Sequence, residues 1–97
     1  MAVGSQERFE AIRPRVVEIF GAADATVERV ARVIRLMEIG WHDLYGEPSP
    51  PDEVVDDVLT CSDGTIEGLV DSVWLAVTDW RDLRLAADAR RSTRRRP

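Results

Sequence analysis

Apolar residues recur every third or fourth position along four stretches of this 97-residue chain, the spacing of helices with one buried face. No stretch alternates every second residue, as a half-buried strand would. The pattern predicts an all-α fold, a compact four-helix bundle-like single domain with a long C-terminal helix. In the first stretch Phe9, Ile12, Val16, Ile19 and Phe20 mark the apolar face. Pro14 should kink or restart this helix, and Gly21 should end it.

The second stretch starts near a cap at Asp24 or Thr26 and carries Val27, Val30, Ile34, Met37, Trp41 and Leu44 through more than four turns. Gly46 is the expected stop, with Pro48, Pro50 and Pro51 forming the connection. Leu36 and Ile39 stand off the main stripe, and Val33 joins them outside it, so this helix is apolar on more than one side.

Ser49-Pro50-Pro51-Asp52 combines a capping residue, prolines suited to a first turn and an early carboxylate, which predicts a helix starting within two residues of Pro50. Val54, Val55, Val58 and Leu59 are its core side, and it should end near Cys61. The fourth helix is expected to start at Ser62 or Asp63. It runs Ile66, Leu69, Val70, Val73, Trp74, Val77 and Trp80, then less cleanly through Leu83, Ala86 and Ala87; its core stripe is read as Ile66, Val70, Val73, Val77 and Trp80, with Trp74 also buried, and Leu75 lies among its solvent-facing acids. About 24 residues at 1.5 Å each give roughly 36 Å, long enough to project beyond the bundle.

Charge changes this picture. Residues 1–36 hold six Arg and five acids, residues 37–89 thirteen acids and two Arg, and residues 90–97 five Arg and no acid. The chain therefore divides into a helical domain, 1–89, and a basic tail, 90–97, expected to lack fixed structure. Arg90, Arg91, Arg94, Arg95 and Arg96 are the candidate contacts to nucleic acid or an acidic partner, although a strongly acidic body opposes phosphate binding. Every basic residue is Arg, with no Lys and no Asn, which fits the codon bias of a GC-rich genome better than selection for guanidinium chemistry. A single cysteine leaves no internal disulfide. The start lacks a signal peptide's pattern and no apolar run reaches membrane-spanning length, so the expected setting is cytoplasmic, with no membrane.

The catalytic inventory is thin. Glu38 and His42 share a helix flank at a spacing that a metal or proton relay would use, but an ordinary helix pair explains them. Cys61 reads as a structural thiol, since its acidic neighbours disfavour the thiolate. Glu53 with Asp56, and Asp79 with Asp82, form carboxylate pairs at helical spacing that would hold Mg²⁺ against phosphates if they converged. This loosely resembles the all-helical nucleotide pyrophosphohydrolases, with their E-x-x-E then E-x-x-D on neighbouring helices. Asp56 and Asp79 depart from that pattern, and helical spacing turns the Asp79 pair away from the core stripe.

The favoured reading is a non-enzymatic helical protein–protein interaction module without a cofactor, homodimeric, with a regulatory, adaptor or inhibitor (immunity-type) role. Val33, Leu36, Ile39 and Leu75 are the candidate interface, and the acidic surface also suits a basic protein partner. A metal-dependent phosphohydrolase and a nucleic-acid-associated protein acting through the tail are the alternatives.

Overall fold

The computed structural model describes residues 6–95 and consists of four helices, α1 (Gln6–Phe20), α2 (Asp24–Tyr45), α3 (Asp52–Cys61) and α4 (Ile66–Arg95), with no strand among these residues. The fold is an all-α single domain with principal extents of 46 × 31 × 21 Å. Among the described residues no helix is long and apolar enough to cross a membrane.

Helix boundaries follow local chemistry. α1 passes through Pro14 without ending, and Gly21 terminates it with φ of 92°. α2 stops at Gly46, whose left-handed φ of 72° lets its N–H return to the His42 carbonyl, as the glycine signal predicts. α3 begins at Asp52. The cap position is Pro51, whose carbonyl accepts the Val54 and Val55 N–H groups, and Ser49 makes no capping bond. The prolines thus precede the helix rather than occupy its first turn.

The fourth helix differs most from expectation. It starts at Ile66, because Ser62 to Thr65 form a turn with positive φ at Asp63 and Gly64. Thr65 caps it by accepting the Gly68 N–H at 2.9 Å. A Cβ at Gly68 would collide with the Ser62 carbonyl, so only glycine fits beneath that cap. The helix is then broken at Asp79, an extended residue with φ −159° and ψ 81°. Asp79 Oδ1 accepts the Asp82 N–H at 3.3 Å, the geometry of an N-cap for a new helix. The 30 residues of α4 are therefore two segments, 66–78 and 80–95, and the second packs back on α3 instead of projecting.

The core gathers Val16 from α1, Val30, Ile34, Met37 and Trp41 from α2, Val54, Val58, Leu59 and Cys61 from α3, and Leu69, Ala76, Leu83 and Ala87 from α4. On α4 the buried line is therefore Leu69, Ser72, Ala76, then Leu83 and Ala87. Of the expected run, Leu69, Leu83 and Ala87 are buried and Ile66, Val73, Val77 and Ala86 pack partly buried against the core, whereas Val70 is exposed. Trp74 is 71% exposed and Trp80 is exposed too, which overturns their assignment as core anchors. The misassigned Val70 and Trp74 precede the break at Asp79; within that segment Leu69, Ser72 and Ala76 take the buried side instead.

Candidate functional site

Two seams meet α4, and they have opposite character. The first lies between α2 and the 66–78 segment. Val77 fills the space above Gly40, with Cγ2 3.7 Å from where a Cβ would stand, and Tyr45 Oη donates to the Val77 carbonyl at 3.1 Å. Tyr45 also lies against buried Trp41, ring centroids 4.4 Å apart, and Trp41 Nε1 donates to Glu47 at 2.8 Å.

Both helices of this seam leave large apolar side chains open to solvent. Leu36 stands one turn before Gly40 and is 66% exposed, with Ile39 and Leu44 also exposed. Trp74 and Val70 stand one and two turns before Val77, and both are exposed. Of the four interface candidates, Leu36 and Ile39 are open to solvent, while Val33 and Leu75 are half-buried and pack against the core. Periodicity did not single out Trp74 and Val70, because it assigned them to the core.

The second seam, between α3 and the 80–95 segment, is charged. Asp57 is 1% exposed. Its Oδ2 accepts from Arg84 Nε at 2.6 Å, and its Oδ1 lies 2.8 Å from Arg91 Nη2 in an ion pair that lacks hydrogen-bond alignment. Arg91 also donates to Asp56 at 2.6 Å and pairs with Asp88 at 3.3 Å. Arg15 of α1 reaches the other Asp56 oxygen at 3.3 Å. Arg90 binds both oxygens of Asp63 at 3.0 Å. This pairing holds the Asp63 carboxyl below its ordinary range and pushes Arg90 up. Asp57 went unnoticed in sequence among thirteen acids. The usable signal was Arg84 and Arg91, seven residues apart and hence on one helix face.

This geometry places the remaining candidates. Residues 90–95 are helical, and Arg90 and Arg91 are tied to the protein's own acids, so the basic segment is not an unstructured tail from residue 90. Arg94 is exposed. Arg96 and the side chain of Arg95 lie outside the described residues. The carboxylate pairs are spent separately: Asp56 on Arg15 and Arg91, Asp79 on capping, with Glu53 and Asp82 exposed. No group of three or more His, Cys, Asp or Glu among the described residues is placed to hold a metal ion. His42 pairs with Asp43 at 3.6 Å rather than with Glu38. Cys61 is buried, its Sγ 3.9 Å from the Leu83 carbonyl and 3.8 Å from Arg90 Nη1. Burial outweighs Arg90 and raises the thiol above its ordinary value, the state of a structural cysteine rather than a nucleophile.

Comparison with known proteins found no matching family model, no matching curated protein and no matching solved structure.

Proposed function

We propose that the chain is a non-enzymatic interaction module whose partner is a second copy of itself, docked through the outer face of the α2–α4 seam. The observation that carries this reading is the exposure of Trp74 and Val70 on one helix and of Leu36 and Ile39 on the other, the two helices meeting at Gly40 and Val77. Tryptophan in such a setting offers more contact area than any other side chain, and aromatic residues are enriched at the centres of interfaces.

Charge supports self-pairing over an unrelated partner. On α2, Leu36 is flanked by exposed Arg29 and Arg32, and on α4, Trp74 is flanked by exposed Glu67 and Asp71. A two-fold arrangement that lays α2 of one copy on α4 of the other sets the basic edge against the acidic edge twice. The metal-dependent alternative loses its geometric support, since Asp79 caps a helix and Asp56 is held by two arginines. The tail reading is weakened by the engagement of Arg90 and Arg91.

Light scattering of the full chain at micromolar concentration tests the proposal. Wild type should show twice the chain mass, and Leu36→Glu or Trp74→Glu should give folded monomers. A monomeric wild type overturns it.

A further inference from the structure

The break at Asp79 has no proline or glycine behind it. Residues 76–82 read Ala-Val-Thr-Asp-Trp-Arg-Asp, a run that an unbroken helix accepts. Within α4 the non-helical residue is Asp79, and two side chains there take backbone groups that helical bonding uses elsewhere. Tyr45 Oη donates to the Val77 carbonyl at 3.1 Å, the acceptor that a straight helix assigns to the Arg81 N–H. Asp79 Oδ1 accepts the Asp82 N–H at 3.3 Å, the donor that a straight helix assigns to the Thr78 carbonyl. Straightening α4 therefore trades two side-chain bonds for two backbone bonds.

Beyond the break, the 80–95 segment is held to α3 and the turn after it. Leu83 and Ala87 are fully buried, Arg84 and Arg91 hold Asp57, Arg91 reaches Asp56, and Arg90 takes Asp63. These three acids lie outside the segment, so a second copy's 80–95 serves them equally well. A straight helix of 30 residues spans about 45 Å, which carries the segment off its own α3 and takes both cations from Asp57.

We propose that 80–95 is an exchangeable arm: in a two-fold dimer Asp79 turns helical, α4 runs straight, and Arg84 and Arg91 of each copy clamp the Asp57 of the other. Every contact of the closed seam is then remade between copies, and the closed and exchanged forms differ at the hinge and in their dependence on concentration. Exchange is slow, because the arm must leave before another can enter, and leaving exposes Leu83 and Ala87 and strips a buried carboxylate of its partners. At micromolar concentration the folded chain keeps its own arm, and exchange occurs when chains refold together at high concentration. The arm's contacts are separate from the Trp74 face, so either mode of pairing stands without the other.

The test uses the full chain carrying Trp74→Glu throughout, so that pairing through the outer face is excluded and the two proposals fail separately. One chain adds Asp57→Lys, and the other adds Arg84→Asp with Arg91→Asp. Alone, each sets like charges together in the closed form and in its own exchanged dimer. Unfolded in urea, mixed and refolded together at about 0.5 mM, a concentration in the range where domain swapping is seen, they should give a one-to-one dimer of twice the chain mass that melts above either chain alone. Exchange sets the native Asp57 under the native arginines in one seam and the reversed charges together in the other. A mixture that keeps single-chain masses and the two separate melts overturns the proposal. If a charge-reversed chain does not fold even in the mixture, the hinge decides. Asp79→Ala removes the cap that favours the bent form, and on refolding at the same concentration it should raise the dimerisation constant about fivefold or more over the chain with Asp79, the factor one lost cap supplies. An unchanged or lower dimerisation constant in Asp79→Ala overturns the proposal as well.

Discussion

The two seams of α4 divide the molecule into a half that consumes its charge and a half that leaves its grease outside. Along 80–95, Arg84, Arg90 and Arg91 are matched by Asp57, Asp63 and Asp56, and Leu83 and Ala87 on the side toward α3 are fully buried, while Trp80 and Leu85 face outward. Along 66–78 only Leu69, Ser72 and Ala76 are buried, and the largest side chain, Trp74, points to solvent. The acidity of the middle of the chain is thus partly internal wiring, neutralised by arginines that arrive from the C-terminal segment. An acidic count in the sequence does not measure the acidity of the surface. Nor does a tryptophan at helical spacing measure the core, when a neighbouring alanine can take the close contact instead.

The largest effect should come from cutting the charged seam. Removing both Arg84 and Arg91 leaves the Asp57 carboxylate buried with neither of its cations, which is expected to cost about 3–5 kcal/mol. Each single substitution should cost less than half of the double, because the remaining arginine still neutralises Asp57. Urea denaturation followed by circular dichroism measures both quantities. An additive pair would mean that the two arginines act independently rather than on one carboxylate.

Next in size is the hinge. Asp79→Ala removes the side-chain cap of the 80–95 segment and should cost about 1 kcal/mol, whereas Asp82→Ala, which alters no capping side chain, should stay within about 0.5 kcal/mol. A larger loss at Asp82 would show that the turn depends on this acid in a way the Asp79 cap does not describe.

On the apolar face the comparison reverses. Trp74→Ala should change the stability of the dilute monomer by less than about 0.5 kcal/mol, since its ring is mostly in water already. Met37→Ala, at a fully buried position, should cost about 2–5 kcal/mol. Tryptophan fluorescence quenching at low concentration offers a second check, because Trp74 should be accessible while Trp41 is shielded.

Much of the fold was legible in sequence, and the reasons are local. Gly21 and Gly46 supply the positive φ at which α1 and α2 stop, Pro51 and Asp52 locate the start of α3, and α3 ends at Cys61 as its apolar pattern indicates. The α2 stripe held from Val27 through Val30, Ile34 and Met37 to Trp41, which lie on one uninterrupted helix, but not at Leu44 in its last turn, which is exposed. The α4 stripe failed at Val70 and Trp74, before the break, because the small Ser72 and Ala76 take the buried side there, and the break at Asp79 went unforeseen because Asp is compatible with both a helix surface and a cap. Of the candidate sites, the exposed pair Leu36 and Ile39 could be read from periodicity alone. The Asp57 clamp could not, since it depends on residues from different helices whose approach is fixed only by packing.

The smallest expected effects are in pH dependence, where the two seams again separate. Asp63, beside Arg90, has its carboxyl lowered from the ordinary 3.8. A lowered folded value means that its contribution is present above 3.8 and is lost as pH falls through the folded value. Glu38, buried on α2, is raised from the ordinary 4.5. The folded state then holds the proton more tightly than the unfolded one, so stability is highest below 4.5 and declines as pH rises through the folded value. Arg8 and Arg35 offset part of the desolvation, which keeps the decline small. Glu38→Gln, neutral at every pH, should therefore melt at the same temperature as wild type near about pH 4 and at a higher temperature near about pH 7. Asp63→Asn should melt lower than wild type near neutrality, and the gap should close as the pH drops below the folded value of Asp63. If Glu38→Gln melted lower than wild type at neutral pH, Arg8 and Arg35 would outweigh the desolvation of the carboxylate, and the burial penalty assigned to it would be wrong.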